Sequence, residues 1–420
     1  MKIKYMKFLL LVFGLLSEIL ISAQDLNYAK TVVKTLASPE MEGRGYVNEG
    51  DKKAANFIAS EFTKLQLKSF GADYFQLLSF PINTISSDHG IKIDEKVLKA
   101  GKEYLIDPAS KGIKGNFEIV FLPDSLFDNK EELKKFFSQN LKNKFILTEG
   151  RFSKLKKSND IKAKGIIYIN HSKLVWHASG AEKARKFVVI EVLDSAVSTQ
   201  SKTISLNFEN KFLKKHQTQN VIAYVEGYKY PDKYYVFTAH YDHLGRMGQD
   251  VYFPGANDNA SGIAMMLDFA NYYSKAENKP EYSIIFIALC GEETGLKGSL
   301  YCAQNPPFEL KNVKFLINLD MVGTGSEGIT VVNATIFKKA FDLMKEINYS
   351  KNYLAKVNAR EESCNSDHCP FYMRGVPSVF IYSLGKEYLE YHNPDDKSEN
   401  LPFTDYEDIF RLLRDFLNKY

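Results

Sequence analysis

The chain has 420 residues, of which 45% are hydrophobic and 25% are charged. This composition is typical of a globular protein with a sizeable core and excludes a largely disordered chain. Its 55 basic and 51 acidic residues give a net charge of +4, a balance that does not favour a nucleic-acid-binding protein. The length exceeds that of an ordinary domain and suits one large α/β domain with an insertion.

The N-terminus has the residue order of a secretory signal peptide. Lys2, Lys4 and Lys7 precede an apolar run at residues 8–16, and a second apolar run at 19–21 leads into the small residues Ser22 and Ala23, after which we predict cleavage. The run is shorter than the ~20 residues of a membrane span, so an uncleaved anchor is the less favoured alternative. We therefore expect a secreted or periplasmic protein without stable membrane association after cleavage.

Two amphipathic helices are predicted next, at residues 25–36 and 52–65, because their apolar residues recur at helical intervals. From residue 86 to 205 the pattern changes to short β-like runs separated by lysine-rich segments. This stretch is predicted to be an inserted domain with a structural or lid role. Its histidines His171 and His177 have no carboxylate pair nearby, so we do not expect them to bind a metal.

After residue 220 the pattern becomes strand, polar tip and helix, repeated along the chain. Apolar strands are predicted at residues 234–239, 282–289, 313–319 and 376–382. Strands that alternate with helices form a mostly parallel sheet. Ligands bind beyond the carboxyl ends of the strands in such sheets, and acidic and histidine residues occur at those ends here.

Six residues near these strand ends have side chains of metal-ligand type, namely His240, Asp258, Glu292, Glu293, Asp320 and His392. Carboxylates that follow a strand too apolar to be exposed are costly to bury, and a divalent cation removes that cost. Imidazoles and carboxylates without a thiolate suit zinc in a catalytic site. Five ligands are too many for one open zinc but fit two zinc ions that share a carboxylate.

Two pairs of residues that are close in the sequence are predicted to have different roles at this site. Adjacent residues on an extended backbone point in opposite directions, so one of Glu292 and Glu293 is expected to bind metal while the other acts as a general base. Asp242 lies two positions after His240. It is either a ligand or the carboxylate that holds the second ring nitrogen of His240.

The other polar residues of this half have structural interpretations. His243 is expected to form a hydrogen bond near the mouth of the site, and Asp367 and His368 are expected to shape the substrate pocket. Cys364 and Cys369 are close enough in the chain for a tight disulfide in an exported protein. Unpaired cysteines are an equal alternative.

Six short motifs share the order and composition of one family: His240-Tyr-Asp242, Asp258-Asn-Ala-Ser-Gly262, Gly291-Glu-Glu293, Asn318-Leu-Asp-Met-Val-Gly323, Ser366-Asp-His-Cys-Pro-Phe371 and Tyr391-His-Asn-Pro-Asp-Asp396. In combination they resemble peptidase family M28, co-catalytic zinc peptidases that are mostly aminopeptidases. The resemblance implies a zinc exopeptidase fold, an α/β three-layer sandwich around a mostly parallel mixed sheet with an inserted small β-rich domain. The implied division is a signal peptide at 1–23, a catalytic domain at 24–85 and 206–420, and an inserted protease-associated-like domain at 86–205.

The resemblance also implies a role for each residue of the predicted site. His240 and Asp320 would hold one zinc ion, Glu293 and His392 the other, and Asp258 would bridge the two. Glu292 would be the general base, Asp242 would orient His240, and Tyr391 would help to polarise the scissile carbonyl. The usual threonine of the family after the final histidine is Asn393 here, a departure that changes no ligand.

The function implied is that of a secreted dizinc exopeptidase that removes N-terminal residues from peptides with a free N-terminus, through a metal-bridging water and a glutamate base. One alternative is a glutaminyl cyclase, an acyltransferase on a similar scaffold with a single zinc. Another is an M28 carboxypeptidase, distinguished by blocking either end of a test peptide. A non-catalytic protein of the same fold is disfavoured because every ligand position is retained.

Overall fold

The computed structural model describes residues 24–85, 87–150 and 161–420, and the predicted signal peptide lies outside the described residues. Within these ranges, no helix has both the length and the apolar composition that a membrane span requires. The α-helices found there, in chain order, are α1 Leu26–Leu36, α2 Gly50–Lys64, α3 Lys130–Ser138, α4 Ser261–Ser274, α5 Lys297–Gln304, α6 Lys338–Lys351, α7 His368–Tyr372 and α8 Tyr406–Lys419.

The strands are numbered in chain order in the same way. The first nine are β1 Phe75–Thr84, β2 Gly90–Ile93, β3 Lys96–Val97, β4 Tyr104–Ile106, β5 Ile113–Phe121, β6 Lys144–Thr148, β7 Gly165–Asn170, β8 Val188–Leu193 and β9 Thr203–Phe208. The others are β10 Lys211–Val225, β11 Tyr230–His240, β12 Arg246–Met247, β13 Val251–Tyr252, β14 Tyr282–Leu289, β15 Val313–Leu319, β16 Gly328–Val332, β17 Val357–Ala359 and β18 Ser378–Leu384.

The larger part of the chain is built on an eight-stranded mixed sheet in the order β1-β10-β14-β11-β15-β18-β16-β17. Its centre is parallel, because β11 pairs in parallel with both β14 and β15, and β15 pairs in parallel with β18. Antiparallel pairing occurs toward both sides of the sheet, between β1 and β10 and between β16 and β18. The four central strands therefore end at the same edge of the sheet.

Helices cover both faces of this sheet. On β14, Ile284, Phe286 and Ala288 pack into one core with residues of α1, α2, α4, α6 and α8. The alternate residues of the same strand pack into a second core with α5 and α7, as the two-residue period of a strand requires. The predicted three-layer α/β fold is confirmed.

The predicted elements of this part are present with small shifts at their ends. The strands predicted at 282–289 and 313–319 have these bounds. The last strand was expected to begin at Val376 but begins at Ser378, because the intervening Pro377 has no N–H to donate to a neighbouring strand. The first helix is capped by Asp25, whose side chain accepts a hydrogen bond from the N–H of Tyr28.

A second eight-stranded sheet lies between β1 and β10 in the chain and has the order β3-β2-β9-β5-β6-β7-β8-β4. We call residues 87–208 the inserted region; its last strand ends three residues beyond the predicted boundary at 205. Its core includes side chains from a loop of the larger part, namely Leu244, Met247, Val251 and Phe253. This loop follows His240 and precedes Asp258, so the inserted region packs directly beside the predicted site.

Candidate metal centre

Three neighbouring parallel strands bring together His240, Asp320 and the two glutamates Glu292 and Glu293. His240 is the last residue of β11, the loop with Glu292 and Glu293 follows β14, and Asp320 follows β15. These strands are adjacent in the order β14-β11-β15. Residues at their carboxyl ends therefore share one crevice at the edge of the sheet.

Asp258 lies between two histidines. Its Oδ1 is 3.4 Å from Nε2 of His240, and its Oδ2 is 2.9 Å from Nε2 of His392. All three side chains are buried. Each oxygen of one carboxylate thus faces a different imidazole, which is the arrangement that a carboxylate shared by two metal ions needs.

The first group of ligand-type atoms belongs to His240, Asp258 and Asp320, which lie within 4.8 Å of one another. Nε2 of His240 is 3.3 Å from Oδ1 of Asp320, while Nδ1 lies 3.1 Å from the main-chain oxygen of Asp242. A carbonyl oxygen can only accept, so Nδ1 carries a hydrogen and Nε2, the nitrogen directed at the carboxylates, is the one available to bind a metal ion. The other oxygen of Asp320 accepts a hydrogen bond from Ser366 at 2.9 Å.

The second group lies around Glu293. Its Oε1 is 3.3 Å from Nε2 of His392. Nδ1 of His392 is 2.8 Å from the main-chain oxygen of Trp176, which fixes the tautomer of this histidine in the same way. Trp176 belongs to the inserted region, and the sequence assigned it no role.

A second histidine competes for Glu293. Nδ1 of His243 is 2.8 Å from the same Oε1, and His243, Asp258 and Glu293 also lie within 4.8 Å of one another. His392 is the better candidate ligand because its Nε2 approaches both carboxylates. His243 is 0% exposed, so it forms the expected hydrogen bond beneath the site, not at its mouth.

The electrostatics of this crevice require positive charge. Burial alone lowers the pKa of His392, but Glu293 and Asp258 outweigh this effect and raise it to about 11. Burial alone raises the pKa of Glu293, but His392 and the hydrogen bond from His243 lower it to about 2. Buried carboxylates of this kind are stable only beside cations, so the residues present fit a divalent metal.

Glu292 and Glu293 lie in a turn that follows β14 and not on an extended strand as predicted. Gly291, at a φ of +69°, turns the chain out of β14 in a left-handed conformation that suits glycine. Glu293 then faces the histidines, while the N–H of Glu292 donates to Oδ1 of Asp242 at 3.1 Å. Burial raises the pKa of Glu292 well above its ordinary value, with His240 acting in the opposite direction.

Asp242 contacts both His240, a predicted ligand, and Glu292, a candidate for the general base. Its main-chain oxygen accepts the hydrogen of His240, and its carboxylate lies 3.9 Å from the same Nδ1. The carboxylate is held instead by the N–H of Glu292 and, at 3.1 Å, by the hydroxyl of Tyr46. Burial raises the pKa of Asp242 to about 7.

The remaining predicted residues lie around this centre. Tyr391 is 40% exposed, and its ring stacks on that of His392 with centroids 3.9 Å apart, so it forms the mouth of the crevice. Asp367 and His368 are fully buried and therefore support the loop from inside, not as an open pocket wall. That loop contains a disulfide between Cys364 and Cys369, one of the two alternatives left open by the sequence.

Arg44 lies beneath the site and was not recognised from the sequence. It is 0% exposed, and its guanidinium donates to five main-chain oxygens at 2.5–3.1 Å, those of Leu36, Tyr241, Pro254, Gly255 and Asp258. Burial lowers its pKa to about 10, so it remains charged at neutral pH. The only local signal is a single arginine between Gly43 and Gly45.

Comparisons with known proteins agree with this geometry. The model of peptidase family M28 matches residues 220–417. Aminopeptidase YwaD of Bacillus subtilis is 30% identical over 370 residues, which are 84% of this chain and 75% of that protein. The chain belongs to peptidase family M28. A probable zinc metalloprotease of Pyricularia oryzae is 41% identical over 113 residues, 26% of this chain and 22% of that protein.

Solved structures of M28 proteins share the fold. The zinc aminopeptidase BSAP of Bacillus subtilis superposes with a TM-score of 0.70 at 21% identity, over 94% of each chain. A peptidase M28 precursor of Shewanella amazonensis gives a TM-score of 0.68 at 18% identity, over 94% of this chain and 93% of that one. The alignments span nearly the whole chain, which confirms the fold of this M28 member.

Proposed function

We propose that this M28 protein is a zinc-dependent aminopeptidase with two zinc ions per chain. The observation that carries the proposal is the position of Asp258, whose two oxygens face His240 and His392 separately. One metal ion would leave one of these imidazoles without a cation. Two ions sharing this carboxylate account for both.

The ligands divide between the two ions by contact. The first zinc is assigned to His240 and Asp320, the second to Glu293 and His392, with Asp258 common to both. When bound, such a pair of ions polarises the substrate carbonyl and lowers the pKa of water. The contacts of His240 with Asp320 and of His392 with Glu293, both 3.3 Å, support this division.

Glu292 is proposed as the general base. Its backbone is held by the bond from its own N–H to Asp242, and its carboxylate interacts electrostatically with His240 and Asp320 of the first ligand group. It takes a proton from the attacking water and passes it to the leaving amine. Burial raises its pKa, and a carboxylate with a raised pKa is the stronger proton acceptor.

Tyr391 is proposed to donate a hydrogen bond to the carbonyl oxygen of the substrate as negative charge develops there. Burial, together with Asp258, raises the pKa of its hydroxyl. The hydroxyl therefore keeps its hydrogen at neutral pH. Its place at the mouth, stacked on His392, keeps it close to the ligands.

The proposal includes the division into a catalytic domain, residues 24–85 and 206–420, and an inserted domain at 86–205. It also includes a signal peptide at 1–23 and export from the cytoplasm. The disulfide between Cys364 and Cys369 supports export, because disulfides persist in oxidising compartments. The mass of the protein recovered from the cell envelope or medium tests this, and a chain that retains residues 1–23 would contradict it.

The activity is tested on peptides with defined ends. We expect release of the first residue from peptides with a free N-terminus, no release after N-acetylation, and no effect of blocking the C-terminus. A chelator should abolish the activity, and elemental analysis of the active protein should find two zinc ions per chain. A single zinc together with cyclisation of N-terminal glutamine would contradict the proposal, as would cleavage only from the C-terminus.

A further inference from the structure

We infer that Trp176 is a positioning residue for His392 and that the inserted region is thereby a working part of the second zinc site. The inference rests on the proposed function, because it concerns the zinc ion that His392 would bind. It assigns a role to the inserted region, which contains none of the six family motifs and none of the predicted zinc ligands.

Trp176 and His392 form a reciprocal pair of hydrogen bonds. The main-chain N–H of Trp176 donates to the main-chain oxygen of His392 at 2.9 Å, and Nδ1 of His392 donates to the main-chain oxygen of Trp176 at 2.8 Å. One bond fixes the backbone of the histidine and the other fixes its ring. Together they direct Nε2 at Asp258 and Glu293, and such supports are known to tune metal affinity.

The backbone of His392 needs this external support. Its φ is +50°, in the left-handed region that residues other than glycine adopt at an energetic cost. Such a conformation persists only where the surrounding structure holds it in place. The bond from Trp176 to the oxygen of His392 supplies one of these restraints from outside the loop.

Trp176 is itself held rigidly. Its indole Nε1 donates to the main-chain oxygen of Ile106 at 2.7 Å, and its ring stacks on Phe253 with centroids 4.7 Å apart. Phe253 belongs to the loop that leads into Asp258. The same tryptophan therefore connects the inserted region to the segments that carry two of the predicted ligands of the second zinc.

Two ion pairs flank this contact, Lys173 with Glu390 and Glu182 with Lys297 at 2.9 Å. Their members are partly exposed, and exposed ion pairs contribute little to stability. The buried Trp176 is therefore the part of the contact that can hold His392 in place. The ion pairs show that the inserted region touches both sides of the crevice.

The experiment compares Trp176→Ala, Trp176→Phe and the matched control Phe145→Leu in the full-length protein. Phe145 is fully buried in the core of the inserted region but contacts no predicted ligand. Zinc binding is measured by competition with a chromophoric chelator. Site occupancy is read by ¹¹³Cd NMR of the cadmium-loaded protein, and circular dichroism reports folding.

Trp176→Ala keeps the main-chain N–H and oxygen that contact His392 but removes the indole contacts with Ile106 and Phe253 that hold them in place. It should therefore weaken the second zinc, by at most the roughly 10- to 100-fold that follows loss of such a support, and should shift or remove one of two cadmium signals. Trp176→Phe keeps an aromatic ring that can stack on Phe253 but loses the bond to Ile106, so it should weaken the same zinc less. Phe145→Leu should lower thermal stability and leave both affinities unchanged.

The inference would be overturned if folded Trp176→Ala had wild-type zinc affinities and unshifted cadmium signals. If the alanine variant does not fold, the same result in Trp176→Phe would overturn it. In both cases the dizinc proposal would stand. An equal loss of zinc in Phe145→Leu would also overturn the inference, because the effect would then come from the insert as a whole. A wild-type protein with only one metal site would overturn the proposed function, and the inference with it.

Discussion

At the scale of residues, the contacts of individual oxygen and nitrogen atoms determine which carboxylate faces which histidine in the crevice. The two oxygens of Asp258 face different histidines, and the main-chain oxygens of Asp242 and Trp176 each hold Nδ1 of one of them. Both imidazoles therefore present Nε2 to carboxylates. The contribution of each side chain can be separated by substitutions that keep its size.

Glu292→Gln should keep both zinc ions and lower kcat by about 10²- to 10⁴-fold. Glutamine is nearly the same size and can keep the main-chain bond to Asp242, but it cannot accept a proton. Steady-state kinetics and zinc analysis of the same preparation test this. Unchanged turnover would remove Glu292 from the mechanism, and loss of zinc would make it a ligand.

The two histidines at Glu293 should behave differently. His392→Ala should abolish binding of one zinc and leave the other, because it removes an imidazole that faces two carboxylates. His243→Ala should retain two zinc ions with about 10- to 100-fold weaker binding of one, as for residues that hydrogen-bond a ligand. Zinc titration of both variants is the measurement. The reverse pattern would make His243 the ligand.

At the scale of elements, Arg44 connects segments that meet beneath the metal centre. Its guanidinium binds the end of α1 through Leu36, the residue after β11 through Tyr241, and the loop before α4 through Gly255 and Asp258. The planar fork of five donors suits this task, and a lysine cannot reproduce it.

Arg44→Lys should lower the free energy of unfolding by about 2–5 kcal/mol, because the three donors of a lysine cannot serve all five oxygens and each buried acceptor left without a donor costs about 1–3 kcal/mol. It should also weaken zinc binding, because Asp258 lies in one of the segments. Arg411→Lys is the control, since Arg411 lies on the surface of α8 and pairs with Asp408. Urea unfolding of both variants tests this, and equal stabilities would show that the buried network contributes little.

At the scale of the whole molecule, stability should depend on pH through a buried carboxyl group that is not one of the predicted ligands. Asp268 on α4 is 1% exposed, and burial raises its pKa to about 7. Its Oδ1 is 3.4 Å from the N–H of Asp25, and its Oδ2 has no hydrogen-bond partner among the described residues. The folded chain therefore favours the protonated form.

The pKa of Asp268 is about 7 in the folded chain and about 3.9 in the unfolded chain. Between about pH 3.9 and pH 7 the folded state therefore holds a proton that the unfolded state has lost. The stability contributed by this proton is present at low pH and is lost as pH rises toward 7, by at most about 4 kcal/mol. Asp268→Asn should therefore stabilise the protein above pH 7 and have little effect near pH 4.

Thermal unfolding of the wild type and Asp268→Asn from pH 4 to 8 measures this difference directly. Asp342→Asn serves as the control, because Asp342 is an exposed residue of α6 paired with Lys338. A stability difference between Asp268→Asn and the wild type that is constant with pH would show that Asp268 titrates normally.

The sequence by itself determined the central strands, the fold class and the residues that converge. Long apolar runs such as 282–289 and 313–319 can be buried only as central strands, and each is followed by charged residues that cannot be buried without a cation. Parallel strands then bring these ends to one edge. Local composition and the order of motifs were therefore sufficient for this part.

The tertiary structure alone decided how the ligands are held. His392 and Trp176 are 216 positions apart in the chain, and Arg44 and Asp258 are 214 apart, so no local pattern links them. Both contacts use main-chain oxygens, which every residue has and which leave no mark in a sequence. Which oxygen faces which donor depends on how the inserted region and the loops pack, and only the folded chain specifies that.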